Sequence, residues 1–130
     1  MKILIVEDDF SSRFLLQKAF EGFGSCTMAM DGIEAVDAFL EGWSEKDPFH
    51  LITLDIMMPV MDGLETLRTI RRLERELAVE DLKKANIIMT TVRNDTETIQ
   101  TAFREGCQAY EIKPLKIHSL HRLAMKFSNG

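Results

Sequence analysis

The chain has 130 residues, 45% of them hydrophobic, which supports one substantial core but is too short for a second domain. Its 21 acidic residues outnumber its 16 basic ones, and the formal net charge is −5. A protein with this charge lacks the positive field on which non-specific nucleic-acid binding depends. The composition therefore predicts a single domain over residues 1–130 and no direct contact with nucleic acid.

The cysteines and the apolar runs together predict a cytoplasmic protein. Cys26 and Cys107 lie far apart and fit no metal-binding spacing, which is typical of reduced thiols in a core. The first residues, MKILIVEDD, turn acidic too early for a signal peptide. No apolar stretch reaches the ~18 residues that a membrane span needs, so we expect no membrane insertion.

Short apolar runs alternate along the chain with longer segments of helical period, which predicts five strands and five helices. The strands are predicted at residues 3–6, 26–30, 50–54, 87–90 and 109–112. The first and third runs are apolar almost throughout, as is typical of parallel strands covered by helices on both faces. The pattern therefore predicts an α/β fold with a doubly wound parallel sheet.

Three predicted helices begin with an Asp or Asn that is followed three residues later by Glu, the pattern of a capping box. The pairs are Asp31 with Glu34, Asp62 with Glu65, and Asn94 with Glu97. The helix after Asp62 is predicted to be long and amphipathic. Its apolar face would carry Leu64, Leu67, Ile70, Leu73 and Leu77, and its other face Arg71, Arg72, Arg75 and Glu76.

Polar and charged side chains follow four of the predicted strands, where parallel sheets bind ligands. They are Glu7-Asp8-Asp9, Asp55, Thr90-Thr91 and Lys113-Pro114. Taken singly, each is ordinary as a solvated loop residue, helix cap, strand residue or turn. Together they supply a nucleophilic carboxylate, acidic metal ligands, a hydroxyl and a cation, as a phosphoacceptor site requires. Clustered carboxylates need a compensating cation, and Mg²⁺ suits such oxygen ligands.

The segments ILIVEDD, LDIMMPVMDG, a strand ending in Thr, and YEIKP resemble the receiver domain of bacterial two-component response regulators. The resemblance covers essentially the whole chain and is most specific around Asp55. It implies a flavodoxin-like five-stranded sheet of order 2-1-3-4-5. It also implies a stand-alone, chemotaxis-regulator-like switch in a phosphorelay. Such a protein is not an enzyme on other substrates and promotes only its own phosphotransfer and dephosphorylation.

The same resemblance implies the acceptor and the metal ligands. Asp55 would take a phosphoryl group from the phosphohistidine of a kinase and become 4-aspartylphosphate. Glu7 and Asp8 would hold Mg²⁺ together with Asp55 and the backbone carbonyl of Met57. Asp9 falls one place too late to be the second acidic ligand.

The resemblance further implies residues that complete and read the site. Lys113 would pair with the acceptor carboxylate or the phosphoryl oxygens, and its bond to Pro114 is predicted to be cis. Thr91, chosen over Thr90 by its interval to Lys113, would hydrogen-bond the phosphoryl group. Tyr110 would be the aromatic side chain that rotates inward when Thr91 moves.

Three departures from the commonest receiver pattern concern the pocket mouth and one loop. Val92 stands where a small residue is usual, and Met57 and Arg93 occupy the variable positions that help to set the phosphoryl lifetime. Arg93 is predicted to pair with a phosphoryl oxygen. The stretch 75–84 is longer than typical; we favour a longer solvated helix and loop, with a partner-specific surface as the alternative.

The implied partners are proteins on both sides of the switch. A sensor histidine kinase or a histidine phosphotransfer protein would deliver the phosphoryl group. A downstream protein would bind the surface around Tyr110 and the last two helices.

Three competing interpretations were weighed. A phosphatase of the haloacid dehalogenase type needs a second Asp at the position of Met57. A flavodoxin needs a phosphate-binding first loop, but EDDFSS is acidic. A receiver-like module that binds partners without phosphorylation is the serious alternative, and the full set of Asp55, Thr91 and Lys113 argues against it.

Overall fold

The computed structural model describes residues 1–128, so the last two residues of the predicted domain lie outside it. The elements in chain order are β1 (Lys2–Val6), α1 (Phe10–Phe20), β2 (Ser25–Ala29), α2 (Gly32–Ser44), β3 (Leu51–Leu54), α3 (Gly63–Glu76), a 3-10 turn (Asp81–Lys83), β4 (Asn86–Thr91), α4 (Thr96–Glu105), β5 (Ala109–Ile112) and α5 (Ile117–Ser128). Each predicted strand is found within one residue at either end. None of the helices in the described range combines the length and the apolar character of a membrane span.

The five strands form one parallel sheet in the order β2-β1-β3-β4-β5. The predicted fold class and strand order are confirmed. β1 and β3 lie in the interior of the sheet. All of their residues except Lys2 are buried. The first connection returns the chain to one side of β1 and the later ones to the other, so the order of strands reverses between β1 and β3.

Helices cover both faces of the sheet and divide the core into two layers. On one face α2, α3 and α4 pack on the sheet; their buried apolar side chains are Ala35, Phe39, Leu67, Ile70 and Ala102. On the other face α1 and α5 contribute Leu16, Ala19, Phe20, Leu120 and Ala124. Burial on both faces explains why the strands carry almost continuous apolar sequence.

Two of the three predicted helix caps are confirmed, and one is wrong by a residue. The carboxylates of Asp31 and Asp62 accept hydrogen bonds from the backbone N–H three residues later, at 2.9 Å each. Asn94 does not cap α4. The cap is Asp95, whose carboxylate accepts from the backbone N–H of Thr98 at 3.0 Å, because the helix begins one residue later than predicted.

Arg71, which was predicted on the face of α3 opposite the apolar residues, forms an ion pair with a buried glutamate. Glu74 is fully buried, and its Oε1 lies 2.6 Å from Nη1 of Arg71. Glu74 Oε2 accepts from the backbone N–H of Ala85 at 2.9 Å. The Arg71 guanidinium also donates to the carbonyl of Gly106 and, at 2.9 Å, to Oε1 of Gln108. The pair therefore joins α3 to the residues that enter β4 and β5.

The two cysteines differ in their environments. Cys107 is buried as predicted, and burial raises the pKa of its thiol to about 11. Cys26 is only half-buried, because it lies on β2 at the edge of the sheet.

Candidate functional site

The carboxyl ends of the strands carry three charged residues on a rigid backbone. Glu7, Asp55 and Lys113 each come directly after a strand. Each donates its backbone N–H to a carbonyl at the end of the neighbouring strand, at 3.0, 3.2 and 2.8 Å respectively. The sheet ladder thus continues past the strand ends and holds these residues in fixed register.

Lys113 brings the two buried carboxylates together. Its Nζ lies 3.0 Å from Oδ2 of Asp55 and 2.8 Å from Oε1 of Glu7. The other oxygen of Asp55, Oδ1, accepts from the backbone N–H of Met57 at 3.1 Å. The cis bond predicted between Lys113 and Pro114 is present. The structure therefore places Lys113 beside the predicted acceptor.

Three carboxylates converge in a cluster that is open on one side. Oxygens of Glu7, Asp8 and Asp55 all lie within 4.8 Å of one another. Glu7 and Asp55 are buried, whereas Asp8 is exposed. Asp9 lies outside this cluster and caps α1 instead, accepting from the backbone N–H of Ser12 at 2.9 Å.

The electrostatics of this cluster fit a hard divalent cation. Burial raises the pKa of Glu7 to about 7; the neighbouring charge of Asp55 adds to the rise, and the Lys113 ammonium offsets only part of it. The ammonium of Lys113 is shared between Glu7 and Asp55, and Asp8 adds a third carboxylate to the cluster. A bound cation would compensate this excess of negative charge and favour the charged carboxylates.

The loop after Asp55 is closed by a glycine. A Cβ at Gly63 would collide with the carbonyl oxygen of Asp55 and the Cα of Ile56. The backbone N–H of Gly63 donates to the carbonyl of Ile56 at 3.0 Å. The glycine of the LDIMMPVMDG segment thus allows α3 to begin directly against the backbone that carries the acceptor.

Thr91 and Tyr110 are joined through the backbone of Arg93. Thr91 is buried, and its Oγ1 accepts from the N–H of Arg93 at 3.3 Å. The hydroxyl of Tyr110 donates to the carbonyl of the same residue at 2.7 Å. Thr90 faces the opposite side of the sheet, as adjacent strand residues do, and its buried hydroxyl has no partner within residues 1–128.

Two residues that were predicted at the pocket mouth have exposed apolar side chains. Met57 is 53% exposed and Val92 58% exposed. The guanidinium of Arg93 turns away to the start of α4, where it contacts Asp95 at 3.1 Å and Thr98 at 2.9 Å. A contact between Arg93 and a phosphoryl oxygen stays a prediction, and it would require these bonds to break.

Arg13 is a residue of this site that the sequence analysis missed. Its Nη1 donates to the backbone carbonyl of Glu7 at 3.1 Å and lies 3.4 Å from that of Asp8. The guanidinium also lies over the ring of Phe10, 5.6 Å from its centroid. Arg13 therefore fixes the turn that carries the acidic pair. The available signal was a basic residue one turn into a helix that follows an acidic run.

Comparison with known proteins identifies a matching family and similar sequences. A family model described as the response regulator receiver domain matches residues 3–124. A probable chemotaxis protein CheY of Rhizobium etli is 33% identical over 122 residues, covering 92% of this chain and 86% of that protein. The DNA-binding transcriptional regulator NtrC of Klebsiella pneumoniae is 36% identical over 114 residues, covering 87% of this chain but only 22% of that protein.

Solved structures resemble this one over nearly its whole length. The CheX–CheY–BeF3–Mg²⁺ complex from Borrelia burgdorferi contains a chain with a TM-score of 0.82 and 25% identity, covering 97% of this chain and 87% of that one. The BeF3-activated DrrB receiver domain also has a TM-score of 0.82, at 22% identity, covering 99% and 97%. The second likeness shows the fold alone.

Proposed function

The chain belongs to the response regulator receiver domain family, and from this membership we propose that it acts as the receiver in a two-component phosphorelay. Receiver domains are phosphoacceptor switches, and phosphorylation and magnesium binding are general to them. A sensor histidine kinase or a histidine phosphotransfer protein is the proposed donor, and Asp55 the proposed acceptor. The observation that carries the proposal is the ammonium of Lys113 between the buried carboxylates of Asp55 and Glu7.

In the proposed reaction an oxygen of Asp55 attacks the phosphorus of the donor's phosphohistidine. The new P–O bond forms as the P–N bond breaks, and the electron pair returns to the imidazole nitrogen, which takes up a proton. The Lys113 ammonium, 3.0 Å from Asp55 Oδ2, stabilises the negative charge on the transferred group. The rigid strand ends supply positioning, which is the main protein contribution to phosphoryl transfer.

Glu7, Asp8 and Asp55, with the backbone carbonyl of Met57, are the proposed ligands of Mg²⁺. When bound, this ion supplies positive charge to the phosphoryl oxygens. The convergence of three carboxylates within 4.8 Å supports the proposal. The exposure of Asp8 supports it too, because it leaves the cluster accessible to the ion and the donor.

The proposed switch uses the backbone of Arg93 as its link. When the Thr91 hydroxyl turns toward a phosphoryl oxygen, it releases the N–H of Arg93 that it now accepts from. The loop that carries Arg93 is also held by the hydroxyl of Tyr110, so a shift of this loop frees the tyrosine to rotate. Tyr110 packs near Phe103 of α4, with the ring centroids 6.5 Å apart. We propose that a downstream protein binds this surface and the outer sides of α4 and α5.

The acceptor is tested with a matched pair of Asp→Asn variants. Acetyl phosphate and Mg²⁺ are expected to phosphorylate the wild type and to leave Asp55→Asn unlabelled, because an amide oxygen is a far weaker nucleophile than a carboxylate. Asp62→Asn, which changes an exposed helix cap near the same loop, should still be labelled. Intact-protein mass spectrometry measures both. Equal labelling of Asp55→Asn and the wild type would refute the assignment.

Beryllofluoride separates this proposal from a receiver-like module that works without phosphorylation. In the presence of Mg²⁺, the anion should bind the wild type and shift the amide NMR signals of Thr91, Arg93 and Tyr110. The same titration of Asp55→Asn should leave those signals in place. A wild-type spectrum that beryllofluoride does not change would favour the unphosphorylated module.

A further inference from the structure

A cavity lies at the amino ends of the strands, opposite the acidic cluster at their carboxyl ends. It is bordered by residues that enter the strands, such as Met1, His50 and Asn86, and by Trp43 in the last turn of α2. Its volume is about 530 Å³, within the usual range of small-molecule sites. Its apolar lining comes from Trp43, Phe49, Phe127, Leu82 and Met1.

The charged side chains around this cavity are all basic. Lys46, Lys83, Lys84 and His50 line it, and no acidic side chain does so within residues 1–128. Lys84 is engaged by Asp81 at 3.0 Å, whereas Lys46 and Lys83 make no ion pair among the described residues. In a chain with a net charge of −5, this is a local reversal of sign.

Backbone hydrogen bonds hold the turn that carries Lys46. The N–H of Lys46 donates to the carbonyl of Trp43 at 3.1 Å, and that of Asp47 to the carbonyl of Gly42 at 2.8 Å. Lys46 has a φ of 59°, a conformation that glycine or asparagine adopts more easily. The turn therefore fixes where the Lys46 side chain leaves the backbone.

A histidine on the same wall is also oriented. The backbone N–H of Lys2 donates to Nδ1 of His50 at 3.1 Å. In the neutral ring this assigns the proton to Nε2, which makes Nε2 a donor. The wall thus offers a second fixed group that suits a negatively charged ligand.

The long stretch at 75–84 forms the facing wall. α3 ends at Glu76, and the chain then makes the 3-10 turn at Asp81–Lys83. The favoured interpretation of this stretch, a longer solvated helix and loop, omitted this turn. Leu82 is 97% exposed at its centre, so an apolar side chain stands at the cavity beside Lys83.

We propose that this cavity binds a small amphipathic anion, an aromatic or aliphatic carboxylate. Its apolar body would pack against Trp43 and Phe127, and its charge would lie between Lys46 and Lys83. Burial of the apolar part supplies the affinity, and the two ammonium groups select the sign of the charge. The site shares no residue with the acidic cluster.

The protein carries its own reporter, because Trp43 is its single tryptophan. Titration with 8-anilinonaphthalene-1-sulfonate should quench Trp43 emission saturably as the probe fluorescence rises, and decanoate should reverse both changes. The double variant Lys46→Glu with Lys83→Glu should weaken both ligands at least about tenfold, since it replaces attraction by repulsion. Lys18→Glu, a single charge reversal at an exposed lysine of α1, should leave both affinities unchanged.

Three results would overturn the proposal: no saturable quenching in the wild type, probe fluorescence that rises without Trp43 quenching, or equal affinities in the double variant. If the double charge reversal lowers the melting temperature, Lys46→Gln with Lys83→Gln replaces it and should still weaken binding. Labelling of Asp55 by acetyl phosphate should be unchanged in every variant. Loss of that labelling in the wild type would refute the proposed function without touching this site.

Discussion

Two ion pairs with buried carboxylates lie at opposite ends of the strands and differ in their balance of charge. At the amino ends of the strands, the entering edge, both oxygens of Glu74 are bonded, to Arg71 and to the N–H of Ala85. At the carboxyl ends, the carboxyl edge, the single ammonium of Lys113 contacts both Asp55 and Glu7, and Asp8 adds a third carboxylate.

The difference separates a structural contact from a binding site. A buried pair whose partners are all satisfied stabilises the positions of the elements it joins. A buried pair that holds an excess of carboxylates keeps unused acceptor capacity, which a cation or a phosphoryl group can fill. The Arg71–Glu74 pair at the entering edge therefore has a structural role. The cluster around Lys113 at the carboxyl edge can bind a ligand.

The largest expected effect comes from removing the cation of each pair. Arg71→Met should lower the free energy of unfolding by about 3–5 kcal/mol, because it leaves Glu74 charged, buried and unpaired. Lys113→Met should lower it less, since the open carboxyl edge admits water and Glu7 can protonate. Urea denaturation measures both.

Magnesium should affect the two variants differently. It should restore much of the stability of Lys113→Met, because binding to the folded state alone stabilises it, and should do nothing for Arg71→Met. The double variant Arg71→Met with Glu74→Met is the control, and it should recover most of the loss because no unpaired charge remains. Equal rescue of both single variants by Mg²⁺ would contradict the distinction between a structural ion pair and a binding site.

The second prediction concerns pH in the absence of metal. The pKa of Glu7 is about 7 in the folded protein, above its ordinary value of 4.5, so the folded state holds its proton more tightly. Between these two pH values the unfolded chain has lost the proton and the folded one has not, so the free energy of unfolding falls as pH rises. The fall attributable to Glu7 is on the order of 3 kcal/mol.

Chelator-treated protein, denatured with urea at a series of pH values, measures this slope. Glu7→Gln should remove its component between pH 4.5 and about 7, whereas Glu76→Gln, at an exposed position, should not. Saturating Mg²⁺ should flatten the wild-type slope, because it favours the deprotonated carboxylate. A slope that Glu7→Gln leaves unchanged would place the titration elsewhere.

The third prediction separates two adjacent carboxylates. Asp8→Asn should weaken Mg²⁺ binding at least about tenfold, or about 1.4 kcal/mol, because it removes a charge from the cluster. Asp9→Asn should leave the affinity near that of the wild type, because Asp9 caps α1. Calorimetry is the suitable measurement, since Trp43 lies at the other edge of the sheet. Similar losses in the two variants would contradict the proposed ligand set.

The site at the carboxyl edge was predictable because each of its residues can be recognised from the sequence next to it. Each strand ends in a recognisable polar residue, and parallel strands bring those ends to one edge. Glu7, Asp55 and Lys113 therefore meet in space as expected, and the family resemblance suggested which role each has. Those roles stay predictions until they are measured.

The Arg71–Glu74 pair at the entering edge was not predictable, because its hydrogen bonds join segments that are distant in sequence. Glu74 lies one helical turn after Ile70, within the buried stripe of α3, yet periodicity alone reads a glutamate as exposed. Its partners lie near residues 85 and 106, which only the tertiary fold brings close. The start of α4 was predicted one residue early for a different, local reason: Asn94 and Asp95 are both good N-caps, and Arg93 contacts the second of them.

The smallest expected effect concerns the lifetime of the phosphorylated protein, and it tests how the mouth of the carboxyl edge is built. Loss of the phosphoryl group needs a water in line with the phosphorus, and we expect the exposed side chain of Val92 to crowd that approach. Val92→Ala should therefore speed dephosphorylation about threefold, where a tenfold change corresponds to about 1.4 kcal/mol. Arg93→Met should change the rate less if the guanidinium stays on Asp95, and equally if it moves onto the phosphoryl group. Decay of labelled protein after removal of acetyl phosphate distinguishes these outcomes, and an unchanged rate in both variants would show that the mouth does not control the lifetime.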